Sequence, residues 1–300
     1  DLLPDGTISG VRSNEMEIVY ARTPGDGFDF KLGQATIAHE MFHLINFTQK
    51  SLPGFATRGV IGAAEQLFLN EGQAHLAEEL VGWGIGTPEI VEIYLSCMAD
   101  TSLGGGGNLF AKSPCNIQAA GNDSLARRGG MMLFLLYMFQ QLGDANYSAT
   151  AVDDIKGGGV SFLHKLTTSP YSGISNLERS SGRSFFSWYK DFVAALALDD
   201  TGFTVDPRYN FSPEVKDSFT GGTRNVRLHS TRSDDGIERT LNGPKILQEL
   251  TAGPNVALGS DLFVTGANAL HLTVPAEMET TVSIQGDPSL SLGVAIVPAP

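Results

Sequence analysis

The sequence predicts an α+β fold: a mainly helical domain with an edge strand or small sheet over residues 1–205, then an all-β, sandwich-like domain over residues 206–300. Apolar residues recur with helical period through most of the first part. After about Asp206, short β-prone runs alternate with Gly, Asn, Pro and Asp. A chain of 300 residues, 42% of them hydrophobic, is long enough to bury a large core in one or two domains.

The first predicted element is a strand over residues 14–22, where Met16, Ile18 and Tyr20 alternate with other residues. Helical periodicity then predicts helices over roughly 34–48, 63–81 and 88–99, an apolar helix that ends near Leu142, and two more in SFLHKLTTSP and GRSFFSWYKDFVAALALDD. Three polar residues are candidate N-caps of the apolar helix: Asn122, Asp123 and Ser124.

The last third contains five β-prone runs: NVRLHST, DLFVTG, NALHLTVP, TTVSIQG and LGVAIVP. Their short length and the turn residues between them are typical of a β-sandwich. The partner of such a domain is not evident from the sequence.

Charge and hydropathy exclude several classes of partner. The net charge is −13 and the pI is near 4.8, which argues against nucleic acid and anionic membrane surfaces. No apolar run reaches the roughly 18 residues that a membrane span needs. We therefore expect no nucleic-acid partner and no membrane span. The chain begins at Asp1, and we expect it to be the mature or trimmed part of a longer protein.

The two cysteines, Cys97 and Cys115, flank a Gly-rich stretch that is expected to be a loop. A disulfide would tether that loop at its base and would place the protein in an oxidising compartment, either secreted or in the cell envelope. The alternative is two free thiols.

The segment TIAHEMFHLINFTQ carries His39 and His43, four residues apart, with Glu40 directly after the first histidine. Residues i and i+4 share one face of a helix, so the two histidines can bind the same ion. Glu40 is rotated about 100° from His39, beside the ion, where it can deprotonate a water. The alternative is a helix with two buried, hydrogen-bonded histidines.

A third ligand is predicted at Glu71, within QLFLNEGQAHLAEEL. Apolar residues precede it and Gly72 follows, so the acid is expected on a buried helix face, which is costly unless the charge is paired or binds a metal. Two His and one Glu leave a fourth zinc position open, the pattern of catalytic sites. Gly72 would allow the close approach of two packed helices. The alternative places Glu71 on the surface.

The two metal motifs resemble those of the gluzincin zinc peptidases, and AHEMFHLINF with FLNEGQAHLAEELVGWG resembles the hyicolysin family of secreted bacterial metallopeptidases. The resemblance covers roughly residues 10–201 and leaves the β region outside. It implies a zincin-like catalytic domain in which His39, His43 and Glu71 bind one Zn²⁺ per chain and Glu40 is the general base. The strand over residues 14–22 would then pair with an extended peptide or protein substrate.

One residue departs from the pattern that the resemblance implies. A Tyr is expected just before the glycine of the apolar helix, as a donor to the oxyanion, and this chain has Arg128 there. A guanidinium can stabilise an oxyanion, so Arg128 is the candidate catalytic donor, with Tyr137 and His164 as alternatives.

Groups that orient the ligating histidines are expected on the helix that carries Glu71. His75 and Glu78 lie at i+4 and i+7 from Glu71 and share its face. His75 could equally be a hydrogen-bonded core histidine. Glu79 is expected to be solvated.

Together these features predict a secreted zinc metalloendopeptidase. The alternatives are a catalytically weak or inactive surface or binding protein on a peptidase fold, and a zinc hydrolase of a non-peptide substrate. The intact Glu40 argues against an inactive protein, and the Arg in place of Tyr argues for one.

Overall fold

The computed structural model describes residues 30–53, 64–80, 88–98, 124–143, 158–199 and 201–211, together with the backbone of six short strands between residues 215 and 273. The predicted strand over residues 14–22, the Gly-rich loop and Cys115 lie outside the described residues.

Seven α-helices are described in the first part of the chain. They are α1 (Phe30–Asn46), α2 (Leu67–Glu78), α3 (Pro88–Ser96), α4 (Leu125–Gln141), α5 (Gly158–Thr168), α6 (Gly173–Ser181) and α7 (Phe185–Leu198). A π-helical turn, Phe47–Ser51, follows α1, and a 3₁₀ helix, Pro207–Tyr209, follows α7. Each helix predicted from the sequence is present, and α6 was not predicted. No described helix is both long and apolar enough to cross a membrane.

Helix α4 is the centre of the described body, packing against α2, α3, α5 and α7. Residues 129–140 are all buried, as the apolar sequence of this helix predicts. Ser124 caps it by accepting a hydrogen bond from the backbone N–H of Arg127 at 3.1 Å. Of the three candidate caps, the structure therefore selects Ser124.

An aromatic cluster fills the core between α4 and α7. Phe134 and Tyr137 of α4 contact Phe192 of α7, with ring centroids 5.2 and 5.8 Å apart. Phe211 is buried against the same group, 5.8 Å from Tyr137. The chain therefore packs on the helical body as far as residue 211.

Two glycines allow α4 to approach its neighbours closely. A Cβ at Gly72 of α2 would lie 2.4 Å from the Cγ of Met131, and a Cβ at Gly129 of α4 would lie 2.2 Å from the carbonyl oxygen of Ile90. Gly72 therefore serves a helix contact, as predicted. The partner is α4, however, and not the helix that carries the two histidines.

The predicted fold class is wrong in its β part. In residues 30–211, the described elements are helices and none is a strand. The described strands beyond are β1 (Val215–Lys216), β2 (Thr223–Arg224), β3 (Thr231–Asp234), β4 (Ile237–Thr240), β5 (Ile246–Thr251) and β6 (Ala269–Thr273).

The described strands form three two-stranded ladders. The β1–β2 and β3–β4 ladders are antiparallel, and the β5–β6 ladder is parallel. A sandwich requires two packed antiparallel sheets, and the described ladders form none. Of the five predicted runs, NALHLTVP contains a described strand, β6. DLFVTG, TTVSIQG and LGVAIVP, together with most of NVRLHST, lie outside the described residues. β-propensity marks segments that suit a pleated surface, but pairing depends on distant partners that the pattern does not identify. The domain boundary near residue 205 stays a prediction.

Candidate metal centre

The two histidines of α1 project from one face of the helix, as their spacing requires. His39 Nε2 and His43 Nε2 lie 3.1 Å apart, and the two rings meet edge to face at a centroid distance of 4.8 Å. His39 is buried, whereas the His43 side chain is 24% exposed. One side of the pair is therefore open to solvent.

Helix α2 packs against α1 and brings Glu71 to the histidine pair. Glu71 Oε2 lies 3.5 Å from His39 Nε2, and Glu71 Oε1 lies 3.6 Å from His43 Nε2. The Glu71 side chain is 10% exposed, so the acid is buried among nitrogen atoms. The structure thus brings together the three residues that the sequence predicted as ligands.

His75 also belongs to this group. His39, Glu71 and His75 offer ligand atoms that all lie within 4.8 Å of one another, and this group could hold a metal ion. His75 Nε2 is buried and has no hydrogen-bond partner among the described residues. Imidazole nitrogens combined with a carboxylate suit transition metals such as zinc. The donor set therefore fits a metal ion.

Glu78 hydrogen-bonds to two of the histidines, His39 and His75, through their Nδ1 atoms. Its Oε1 accepts hydrogen bonds from His39 Nδ1 at 2.7 Å and from His75 Nδ1 at 2.9 Å, in the tautomers that place a proton on each Nδ1. With Nδ1 occupied, His39 presents Nε2 to His43 and Glu71. A carboxylate in this position fixes the ring of a metal-ligating histidine.

The electrostatics of the metal-free centre follow from these contacts. Burial alone would lower the pKa of His39, but hydrogen bonds to Glu71 and Glu78 raise the pKa to about 9. Burial lowers the pKa of His43 despite the attraction of Glu71. For Glu71 and Glu78, burial opposes ionisation, but their histidine partners hold both pKa values below the usual range.

Arg128 lies at the same centre, but its contact differs from the predicted one. Its Nη1 is 2.7 Å from Glu71 Oε2, so the guanidinium contacts the predicted metal ligand. The two alternative oxyanion donors are placed elsewhere. Tyr137 is buried in the aromatic core and donates to the carbonyl oxygen of Arg208 at 2.7 Å, and His164 is exposed on α5.

Glu40 is exposed on α1, and its carboxylate makes a small contribution that raises the pKa of His43. Glu40 thus follows His39 directly in sequence and faces solvent. Cys97 is disulfide-bonded, but Cys115 lies outside the described residues, so the pairing stays a prediction. The expectation that Glu79 is solvated is wrong, because it is 2% exposed.

A second buried ionic cluster, which no motif in the sequence indicated, ties together the segments that carry the ligands. Lys50, in the π turn after α1, pairs with Glu65, just before α2, and their side chains are 1% and 0% exposed. Glu65 also accepts hydrogen bonds from the backbone N–H of Gly173 at 2.6 Å and from Asn176 Nδ2 at 2.8 Å. This cluster anchors both ligand-bearing segments to α6.

No family model matches the chain, and no curated protein sequence matches it.

Proposed function

We propose that the protein is a zinc-dependent metalloendopeptidase that hydrolyses peptide bonds in extended peptide or protein substrates, and that it is secreted or resides in the cell envelope. The observation that carries this proposal is the spacing of the donor atoms of His39, His43 and Glu71. Zinc bonds of roughly 2.0–2.1 Å in a tetrahedron place ligand atoms about 3.3 Å apart. The two Nε2 atoms of His39 and His43 lie 3.1 Å apart, and each has a different oxygen of Glu71 at a similar distance, Oε2 at 3.5 Å from His39 and Oε1 at 3.6 Å from His43.

Zinc bound by these three residues would supply Lewis acidity to a water molecule and to the scissile carbonyl. Glu40, on the exposed side of α1, accepts the proton of the attacking water and delivers it to the leaving amine. Glu78 holds the His39 ring, and Arg128 is the proposed donor to the oxyanion. The resemblance to hyicolysin-like peptidases supports the same assignment.

Metal content is the first test. The purified protein, offered zinc and then dialysed, is expected to retain about one zinc per chain by atomic absorption. His43→Ala and Glu71→Ala should lose the metal, whereas His75→Ala should keep it with weaker affinity, because Glu78, which holds the His39 ring, would lose its contact with His75 Nδ1. Loss of zinc from His75→Ala with retention by His43→Ala would show that the ion uses the other histidine.

Catalysis is the second test, with casein and a peptide library as substrates. Glu40→Gln keeps the size of the side chain but removes the base, so it should retain zinc and lose on the order of 10²–10⁴-fold in rate. Equal rates for Glu40→Gln and wild type would refute the mechanism.

The alternative is a catalytically weak or inactive binding protein on the same fold. One observation favours it, namely that the guanidinium expected to stabilise the oxyanion contacts Glu71. A wild-type protein that binds zinc and cleaves none of a broad peptide library would establish this alternative.

A further inference from the structure

We propose that Arg128 is a positioning residue for the metal centre, whose guanidinium holds the Glu71 carboxylate in the orientation that faces both histidines. The inference rests on the proposed metal site and assigns Arg128 a role separate from that of oxyanion donor.

The two oxygens of Glu71 have different neighbours. Oε2 lies 2.7 Å from Arg128 Nη1 and 3.5 Å from His39 Nε2, whereas Oε1 lies 3.6 Å from His43 Nε2. Rotation of the carboxylate would break the contact with Arg128. The Arg128–Glu71 contact is an ion pair, and the positive charge of Arg128 is one of the causes that hold the pKa of Glu71 below its usual range. The arginine therefore selects the rotamer in which one oxygen faces each histidine.

The backbone holds the arginine in place. Gly129, the next residue, lies so close to α3 that an added Cβ would be 2.2 Å from the carbonyl oxygen of Ile90. On α2, Gly72 follows Glu71 and contacts Met131, one turn beyond Arg128. The first turn of α4 is thus packed closely against both neighbouring helices. The backbone at Arg128 is therefore held in place, at a distance from which the guanidinium contacts Glu71.

The Arg128–Glu71 ion pair is shielded enough from solvent for its loss to change metal binding. The Arg128 and Glu71 side chains are 26% and 10% exposed. An exposed ion pair contributes little, but a largely buried pair is screened less by solvent, so removing Arg128 takes away one of the positive charges that face Glu71. Without Arg128, the Glu71 carboxylate would sample rotamers that face away from His43, and metal binding would have to overcome that freedom.

The test measures zinc affinity by competition with a chromogenic chelator, and the visible spectrum of the Co²⁺-substituted protein. Arg128→Ala should weaken zinc binding about 10–100-fold, the usual effect of removing a group that orients a metal ligand. It should also change the intensity of the Co²⁺ bands, because the binding mode of Glu71 changes. Arg128→Lys keeps the charge but on a differently shaped side chain, which changes where the charge lies relative to Glu71, so it should recover only part of the affinity.

Arg183 offers a matched control. Its Nη2 lies 2.6 Å from Asp191 Oδ2, with side chains that are 34% and 7% exposed, so this pair resembles the Arg128 pair in length and burial. Arg183→Ala should lower the Tm but leave zinc affinity and the Co²⁺ spectrum at wild-type values.

The outcomes separate this inference from the proposed function. If Arg128→Ala binds zinc as tightly as wild type, or more tightly, the positioning role is refuted. A loss of kcat at unchanged zinc affinity would then assign Arg128 to the oxyanion alone and leave the peptidase proposal intact. A wild-type protein that binds no zinc would overturn both. If circular dichroism shows that Arg128→Ala is unfolded, Arg128→Lys decides by the same two measurements.

Discussion

Zinc binding near neutral pH should release about one proton per ion, because zinc and the proton compete for His39. In the metal-free centre, burial opposes protonation of this ring, but hydrogen bonds to Glu71 and Glu78 raise its pKa to about 9. A metal ligand must present a free nitrogen lone pair, so the proton leaves when the ion enters. His43 contributes little to the release, because burial lowers its pKa and it is already neutral at pH 7.

The magnitude follows from the pKa of His39. At pH 7, a group with a pKa of about 9 is about 99% protonated, and displacing that proton costs about 3 kcal/mol, or roughly 100-fold in apparent affinity. Apparent zinc affinity should therefore rise about tenfold per pH unit between pH 7 and pH 9, and level off above pH 9.

The assay is isothermal titration calorimetry of chelator-buffered zinc at pH 7, in buffers of different ionisation enthalpy. The slope of the apparent enthalpy against the buffer enthalpy counts the protons released. A slope near one is expected at pH 7 and about half of that at pH 9. Stoichiometric zinc binding with no proton release at pH 7 would refute the assignment of His39 as a protonated group in the metal-free centre.

Three further predictions concern His39, Glu78 and the buried pair of Lys50 and Glu65. The free energy of unfolding of the metal-free protein should fall by about 3 kcal/mol as the pH rises from 6.5 to about 9. The reason is the raised pKa of His39, which stabilises the folded state fully below pH 6.5 and ceases to do so as the pH passes about 9. Denaturant titrations across this range measure it, and a flat profile would contradict it. Glu78→Gln should weaken zinc binding about 10–100-fold in chelator competition, since the Nδ1 atoms of His39 and His75 lose a shared anionic acceptor; unchanged affinity would remove Glu78 from the centre. Lys50→Met should cost about 3–5 kcal/mol in urea unfolding, because the buried Glu65 side chain would lose its cationic partner. The control is Arg208→Met, at an exposed ion pair, which should leave the free energy of urea unfolding nearly unchanged. Equal losses in the two variants would argue against the buried cluster.

The placement of His39 and His43 on one face was predictable from their spacing, because a helix repeats every 3.6 residues whatever surrounds it. The burial of α4 was predictable for a similar reason, since a helix that is apolar on all sides has no face to expose. The position of Glu71 opposite the histidines followed from the cost of burying an unpaired acid.

The exposure of Glu79 was predicted wrongly. Glu79 was expected to face solvent because it lies about 100° from Glu78 on an ideal helix. Glu79 keeps α-helical geometry, with φ −67° and ψ −45°, and its backbone N–H donates to the carbonyl oxygen of His75 four residues back, yet the residue is buried. Helical period gives the direction of a side chain around the helix, whereas burial depends on which elements pack against that face. The β-sandwich prediction failed because strand pairing depends on contacts distant in sequence.

The sequence by itself determined the helices, the shared face of His39 and His43, and the chemical type of the metal donors, because these depend on residues within one or two helical turns of each other. Only the tertiary structure decided that Arg128 contacts Glu71 and that Glu78 bridges His39 and His75. It also decided that Lys50 pairs with Glu65. These partners, except for the i+3 pair of His75 and Glu78, lie far apart in sequence. Whether they meet depends on how helices pack, which is set by side-chain volumes and glycine contacts across the whole core.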